Sequence, residues 1–320
     1  MKYMMDLKNG IEKLIVSHNA FVIGEDIHEP YGGAFKVTKG LSKLYPEHII
    51  PTPMCEQGFV GMGIGMAVEG SSVIVEIMFG DFITLAADQM INHAAKFYQM
   101  YKEPVKFVLR FPSGGYRGYG ATHSQSLEKL YFGIPGLKVI APSIAHSPGN
   151  LLEKSLLSGI PSLFVENKRD YPRELLGQSG VFWVKELLGE VGFPIARIYV
   201  KNEKPDYTII TYGGLVSVAM EVMQYFLYEE ELYIDLLIPS DLSDINAVFD
   251  LIRSRNVLVV EEGVKEFGWG AEITSSLCNN GNNVQRLGAK YSFIPASQKW
   301  ENKILPQKEE MIQMIRKGMN

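Results

Sequence analysis

Short, nearly continuous apolar runs recur along this chain, with longer helical stretches between them, and that alternation leaves few folds open. Residues 21–26 (Phe-Val-Ile-Gly-Glu-Asp) read as a buried strand ending in acids. Residues 73–79 read as another, followed by a helical segment over 86–100, and 105–111, 137–142 and 161–166 continue the series. Strands apolar on both faces and separated by helices predict a parallel sheet covered on both sides. A second series begins at 207–214 and continues through 232–238 and 257–262. A chain of 320 residues also exceeds what one ordinary core organises. The polar stretch Lys201-Asn202-Glu203-Lys204-Pro205-Asp206 separates the two series. The expectation is α/β throughout: one domain over 1–190, a linker over 191–205 and a second α/β domain over 206–320. Two such domains do not define an activity.

Several function classes are disfavoured. A net charge of −5 gives no electrostatic reason to expect nucleic acid or an anionic membrane as partner. Cys55 and Cys278 lie far apart and match no metal spacing, which favours a reducing cytosol over a disulfide framework. No secretion signal is read at the N-terminus, and no apolar stretch approaches membrane-spanning length; the expected location is the cytoplasm. Gly61-Met62-Gly63-Ile64-Gly65 lacks the spacing of a dinucleotide fingerprint and reads better as close helix packing. There is no P-loop, no paired-histidine zinc motif and no nucleophile elbow.

Three places could carry chemistry. Glu56, in Pro53-Met54-Cys55-Glu56-Gln57-Gly58-Phe59, is a lone acid in an apolar, Gly-rich setting. Partial burial raises a carboxyl pKa and suits it to holding a proton; equally, an acid there caps the following helix. Phe79-Gly80-Asp81-Phe82 leaves a strand end, where open α/β sheets bind ligands. Its aromatics fit either a heteroaromatic ring or the core. The Gly-rich loop from Arg110 to Ser126 leaves another strand, and it holds His123 beside hydroxyls and an amide able to fix its tautomer.

Together these segments resemble the β subunit of the thiamine-diphosphate-dependent E1 component of 2-oxoacid dehydrogenase complexes, of the pyruvate, branched-chain 2-oxoacid or acetoin type. The resemblance is carried by Gly24-Glu25-Asp26, residues 32–41, 52–61 and 76–82, Asp88-Gln89-Met90-Ile91-Asn92-His93-Ala94-Ala95-Lys96, His123-Ser124-Gln125 and residues 135–143. It continues more weakly through Thr211-Tyr212-Gly213, Val259-Val260-Glu261-Glu262 and residues 268–272. It implies a pyrimidine-binding domain with a parallel sheet, followed by a transketolase C-terminal-like α/β domain. Glu56 matches the glutamate that hydrogen-bonds N1′ of the thiamine aminopyrimidine, Phe82 the aromatic packed on that ring, and Met78 falls at the same strand end. His123 matches the histidine expected near the substrate.

Thiamine enzymes hold the diphosphate and Mg²⁺ through Gly-Asp-Gly and a later paired Asn. This chain has no Gly-Asp-Gly, and Asn279-Asn280 and Asn282-Asn283 follow no such triplet. The resemblance therefore implies that an α subunit holds that end, in an α2β2 heterotetramer with a 2-oxoacid substrate and lipoyl-E2 as acceptor. A monovalent-cation site of some relatives would lie near 156–167; its Asp is not evident, so no metal is expected on this chain. Residues 237–242 and 289–295 depart from the family pattern, which touches assembly and E2-docking surfaces. That departure keeps open a specialised pair using a non-lipoyl acceptor, and a non-catalytic scaffold subunit is a further alternative.

Overall fold

The computed structural model describes residues 1–178, 180–188 and 192–319. β1 Phe21–Glu25, β2 Ile49–Thr52, β3 Val73–Glu76, β4 Phe107–Ser113, β5 Lys138–Ile140 and β6 Ser162–Asn167 form one sheet in the order β2-β1-β3-β4-β6-β5. Every neighbouring pair is parallel. Successive side chains of a strand point to opposite faces, so both faces need apolar residues. Val22, Ile74, Val108 and Phe164 pack with Leu7, Ile11 and Leu14 of α1 Tyr3–His18 on one side. Ile23, Val75, Leu109 and Val165 pack on the other with Val60, Ile64 and Ala67 of α3 Glu56–Val68, while Leu41 of the short α2 Leu41–Leu44 packs on the α1 side. A fully buried Leu or Ile contributes about 1.5–3 kcal/mol, which is why these runs read as nearly unbroken.

The expected helical segment over 86–100 is present as an unbroken run whose winding changes along its length. A 3₁₀ segment, Gly80–Ala86, is followed by a π-helical turn, Gln89–Ala94, and then by α4 Ala95–Tyr101. α5 Pro148–Leu157 lies against α1 so closely that a Cβ on Gly10 would come 2.4 Å from Gly149 Cα. Only glycine fits that crossing.

The second sheet holds β7 Phe182–Leu188, β8 Pro194–Val200, β9 Tyr207–Ile210, β10 Ile234–Pro239, β11 Asn256–Val264 and β12 Asn283–Ala289, ordered β12-β11-β9-β10-β8-β7. Four strands are parallel, and β8 and β7 add an antiparallel edge. α6 Val216–Glu229, α7 Trp269–Asn279, the single turn α8 Gln298–Glu301 and α9 Lys308–Met319 complete this half.

The expected partition needs correction. β8 lies inside the stretch 191–205 taken as a linker, and the polar residues 201–206 connect β8 to β9 within one sheet. The edge expected at 190/191 falls outside the described residues. Arg197 interrupts the apolar pattern of β8 in the sequence; in the fold that guanidinium is buried on Asp235 of β10, with Nη2 to Oδ2 at 2.6 Å.

The two sheets share one core cluster, in which Val75, Leu109 and Val139 join Ile210, Leu237 and Val259. Backbone bonds cross the seam, Ala141 N–H to the Ser240 carbonyl and Leu242 N–H to the Val139 carbonyl, each at 2.8 Å, beside a Lys138–Asp241 ion pair. No helix among the described residues is long and apolar enough to cross a membrane.

Candidate active site

The residues singled out in the sequence sit just beyond the C-terminal ends of the parallel strands. Glu25 ends β1, Glu56 opens α3 after β2, Met78, Phe79 and Phe82 follow β3, and His123 lies on the loop after β4. In an open α/β sheet the strand ends leave a crevice of this kind for a ligand.

Glu56 occupies the first turn of α3, with Cys55 preceding it as cap residue, and it is half-buried. The helix N-terminus favours an acid in that first turn, although no side chain makes a capping hydrogen bond there. The structure adds a neighbour. Glu25 is 3% exposed and its Oε1 has no hydrogen-bond partner. Its pKa is pushed up to about 7, first by burial, then by the charges of Glu56 and Asp26. A buried carboxyl facing another acid resists ionisation, so Glu25 can hold a proton near neutrality.

The aromatic residues form a connected group. The Phe82 and His123 rings meet edge to face at 5.3 Å, and Phe79 meets His123 in the same way at 4.8 Å. Phe35 and Tyr119 complete the cluster around Phe79, at 5.7 and 6.1 Å. Phe79, Phe82, His123 and Met78 are each half-buried, so part of each remains available to a ligand. The 3₁₀ segment carrying Phe82 packs on α3, which brings the Phe82–His123 pair to the helix that begins with Glu56.

The flanking residues act differently from the sequence expectation for His123. Thr122 Oγ1 lies 3.0 Å from His123 Nδ1, but the Gln125 amide is taken up by Asp81, with Nε2 to Oδ1 at 2.9 Å. Gln125 N–H also donates to Asp81 Oδ1 at 3.2 Å. Asp81, between Gly80 and Phe82, thus ties down the histidine loop. Ser124 Oγ is buried without a partner.

Two deeper groups hold this surface. Arg110 is 1% exposed and binds Glu166 through Nε and Nη2, both at 2.7 Å, while Nη1 reaches Glu76. Tyr171 donates to Glu166 Oε2 at 2.6 Å and stacks on Phe35 at 5.2 Å, linking the buried ions to the aromatic cluster. From the second sheet, Glu262 of β11 accepts from Gly115 N–H and, at 2.8 Å, from Asn167 Nδ2. The sequence places Arg110, Glu166 and Glu262 near strand ends but shows none of these contacts, because they join strands far apart in the chain.

Chemically, the site offers a buried carboxyl able to keep a proton, Glu25, with Glu56 beside it, aromatic faces and edges for a flat ring, and an imidazole against them. That donor set fits an aminopyrimidine ring: the acid suits a ring nitrogen, and the orphaned Glu25 Oε1 is a polar atom awaiting a partner.

Comparison with known proteins identifies the two domains. Residues 12–174 match the transketolase pyrimidine binding domain family and residues 196–311 the transketolase C-terminal domain family. The pyruvate dehydrogenase E1 component subunit beta-1 of Arabidopsis thaliana is 31% identical over 96% of this chain and 86% of its own length. The pyruvate dehydrogenase E1 component subunit beta of Rickettsia conorii is 32% identical over 96% and 94%. Among solved structures, a split-gene transketolase described as an inactive β4 tetramer superposes with a TM-score of 0.74 over 100% of this chain and 98% of its own, at 16% identity; it supports the fold.

Proposed function

The chain belongs to the family of pyruvate dehydrogenase E1 component β subunits, built from transketolase pyrimidine-binding and C-terminal domains, and from that premise we propose that it supplies the pyrimidine half of a thiamine-diphosphate site for oxidative decarboxylation of a 2-oxoacid. The observation that carries this reading is the Glu25–Glu56 acid pair at the same sheet end as the Phe82–His123 contact. Thiamine diphosphate, when bound, supplies the nucleophilic thiazolium carbon and takes up the electrons released with CO₂.

The chain's own residues do the rest. Glu56 holds a proton at N1′ of the aminopyrimidine, and Glu25 beside it keeps that proton shared rather than lost to water. Phe82 and Met78 pack against the ring and exclude water from it. His123 faces the substrate side and hydrogen-bonds the oxygen of the reacting carbonyl, where negative charge develops. With no Gly-Asp-Gly in the sequence, the diphosphate and Mg²⁺ are assigned to an α subunit in an α2β2 heterotetramer, and lipoyl-E2 is the acceptor of the acyl group.

Co-expression with the α-like partner, followed by addition of thiamine diphosphate, Mg²⁺ and a panel of 2-oxoacids, tests the reading. Turnover is expected only with both chains present, and Glu56→Gln should lower kcat by about 100-fold or more, the usual scale for a lost proton-transfer group. Full turnover in that variant would remove Glu56 from the proton relay. Adding lipoylated E2 to the active pair should then raise turnover with the correct acceptor; no response would favour a non-lipoyl acceptor.

A further inference from the structure

Lys168, just past the end of β6, is fully buried, and no carboxylate of the described residues lies within ion-pair distance of its ammonium. Taking a charge out of water without a counterion costs several kcal/mol, so its surroundings must repay it in another way. They do so through one loop. The Lys168 ammonium donates to the His123 carbonyl. Its backbone N–H donates to the Ser113 carbonyl at 3.1 Å, and its own carbonyl accepts from Arg117 Nη1, also at 3.1 Å. One residue therefore grips the loop at its start, middle and histidine end. The ammonium also lies 5.4 Å over the rings of both Phe79 and Tyr119, the first of which meets the His123 ring.

From this geometry we infer that Lys168 is a positioning residue: its buried ammonium fixes the His123 backbone so that the imidazole stays against Phe79 and Phe82. The inference rests on the role proposed for His123, but the positioning itself is a property of this chain. An apolar residue would fill the same space at lower cost, and the ammonium has no other polar partner among the described residues. The charged groups facing it are Asp81, Glu262 and Glu301, which favour the ammonium, and Arg117, which opposes it. Burial outweighs them and brings its pKa down to about 8. The grip should accordingly weaken as pH rises through that value, when the charge-assisted bond becomes an ordinary amine–carbonyl bond.

The test uses the full chain labelled with ¹³C and ¹⁵N in histidine, alone and with its co-expressed partner. The His123 ring signals are assigned by loss in His123→Asn. With two nearly perpendicular aromatic rings packed against it, the His123 imidazole should have its Hε1 signal displaced by ring currents in the wild type. Lys168→Met should move that signal toward the value of a solvated histidine, Lys168→Arg should largely restore it, and His146 should be unaffected as an internal control. In the unsubstituted chain, the His123 signal should move with a midpoint near pH 8. Should Lys168→Met not fold, that pH titration and Lys168→Arg still decide the matter. A His123 signal unchanged in folded Lys168→Met, or without any transition near pH 8, overturns the inference. In the active pair, Lys168→Met should lower kcat at least 10-fold, leave cofactor affinity within about 2-fold, and remove an alkaline limb near pH 8. If no 2-oxoacid turns over but the His123 signal follows Lys168, the positioning stands and the proposed reaction fails.

Discussion

Glu25 is the residue on which the proposed proton chemistry of this site turns, although one of its buried oxygens has no hydrogen-bond partner. Burial is the first cause of its raised pKa and Glu56 the second. Glu56→Gln should therefore lower the Glu25 midpoint from about 7, yet leave it above the ordinary carboxylate value, because burial remains. Carboxyl ¹³C titration, assigned with Glu25→Gln, measures this; an unmoved or higher midpoint would show that the two acids are not coupled. At this scale the sequence was informative where function shows as local oddity. Glu56 stood alone among apolar neighbours, and His123 stood in a loop too polar for the core. Lys168 and Arg110 carry no such sign. A lysine after a strand is ordinarily a solvated one, and only the return of the loop over 113–123 buries it.

Among the elements, α3 shows how one helix serves both packing and the site. Gly63 faces the sheet, where an added Cβ would come 2.8 Å from Val75 Cγ2 and 3.1 Å from Phe107 Cε2. Gly65 has nothing within 4 Å. Gly63→Ala should destabilise the chain by about 1–3 kcal/mol through overpacking. Gly65→Ala should be neutral or stabilise it by up to about 1 kcal/mol, the helix-propensity difference. Chemical denaturation of both variants separates the cases, and equal effects would mean that α3 is not seated as described. The buried strands were legible because both of their faces are apolar. The edge strands β2, β7 and β12 were not, since an edge needs only part of that pattern: β2 is four residues with Pro51 in it, and β12 carries Gln285 and Arg286 on half-exposed positions; the interior β8 is hidden by its buried Arg197.

Over the whole molecule, ionisable groups buried away from water set the response to pH. Glu25, Glu128, Asp170 and Glu261 all have pKa values raised to about 7, burial being the first cause in each. Between their ordinary values near 4–4.5 and pH 7, the folded chain then holds more protons than the unfolded one, so stability falls as pH rises. His146, lowered to about 4 by burial, works the other way up to its ordinary value near 6.5, one group against four. The Tm should therefore be lower at pH 7.5 than at pH 5, and a Tm that rises across that window would contradict the assignment. Above pH 8 Lys168, lowered to about 8, adds a contribution of the opposite sign.

The hold of Glu262 on Gly115 and Asn167 has a consequence for genetics. A screen for loss of function should return alleles in β11, a strand of the second sheet, and they would cluster as though a second catalytic centre lay there. Their suppressors should map instead to the loop over 113–126 in the first half of the gene, because the lesion in β11 acts by releasing that loop.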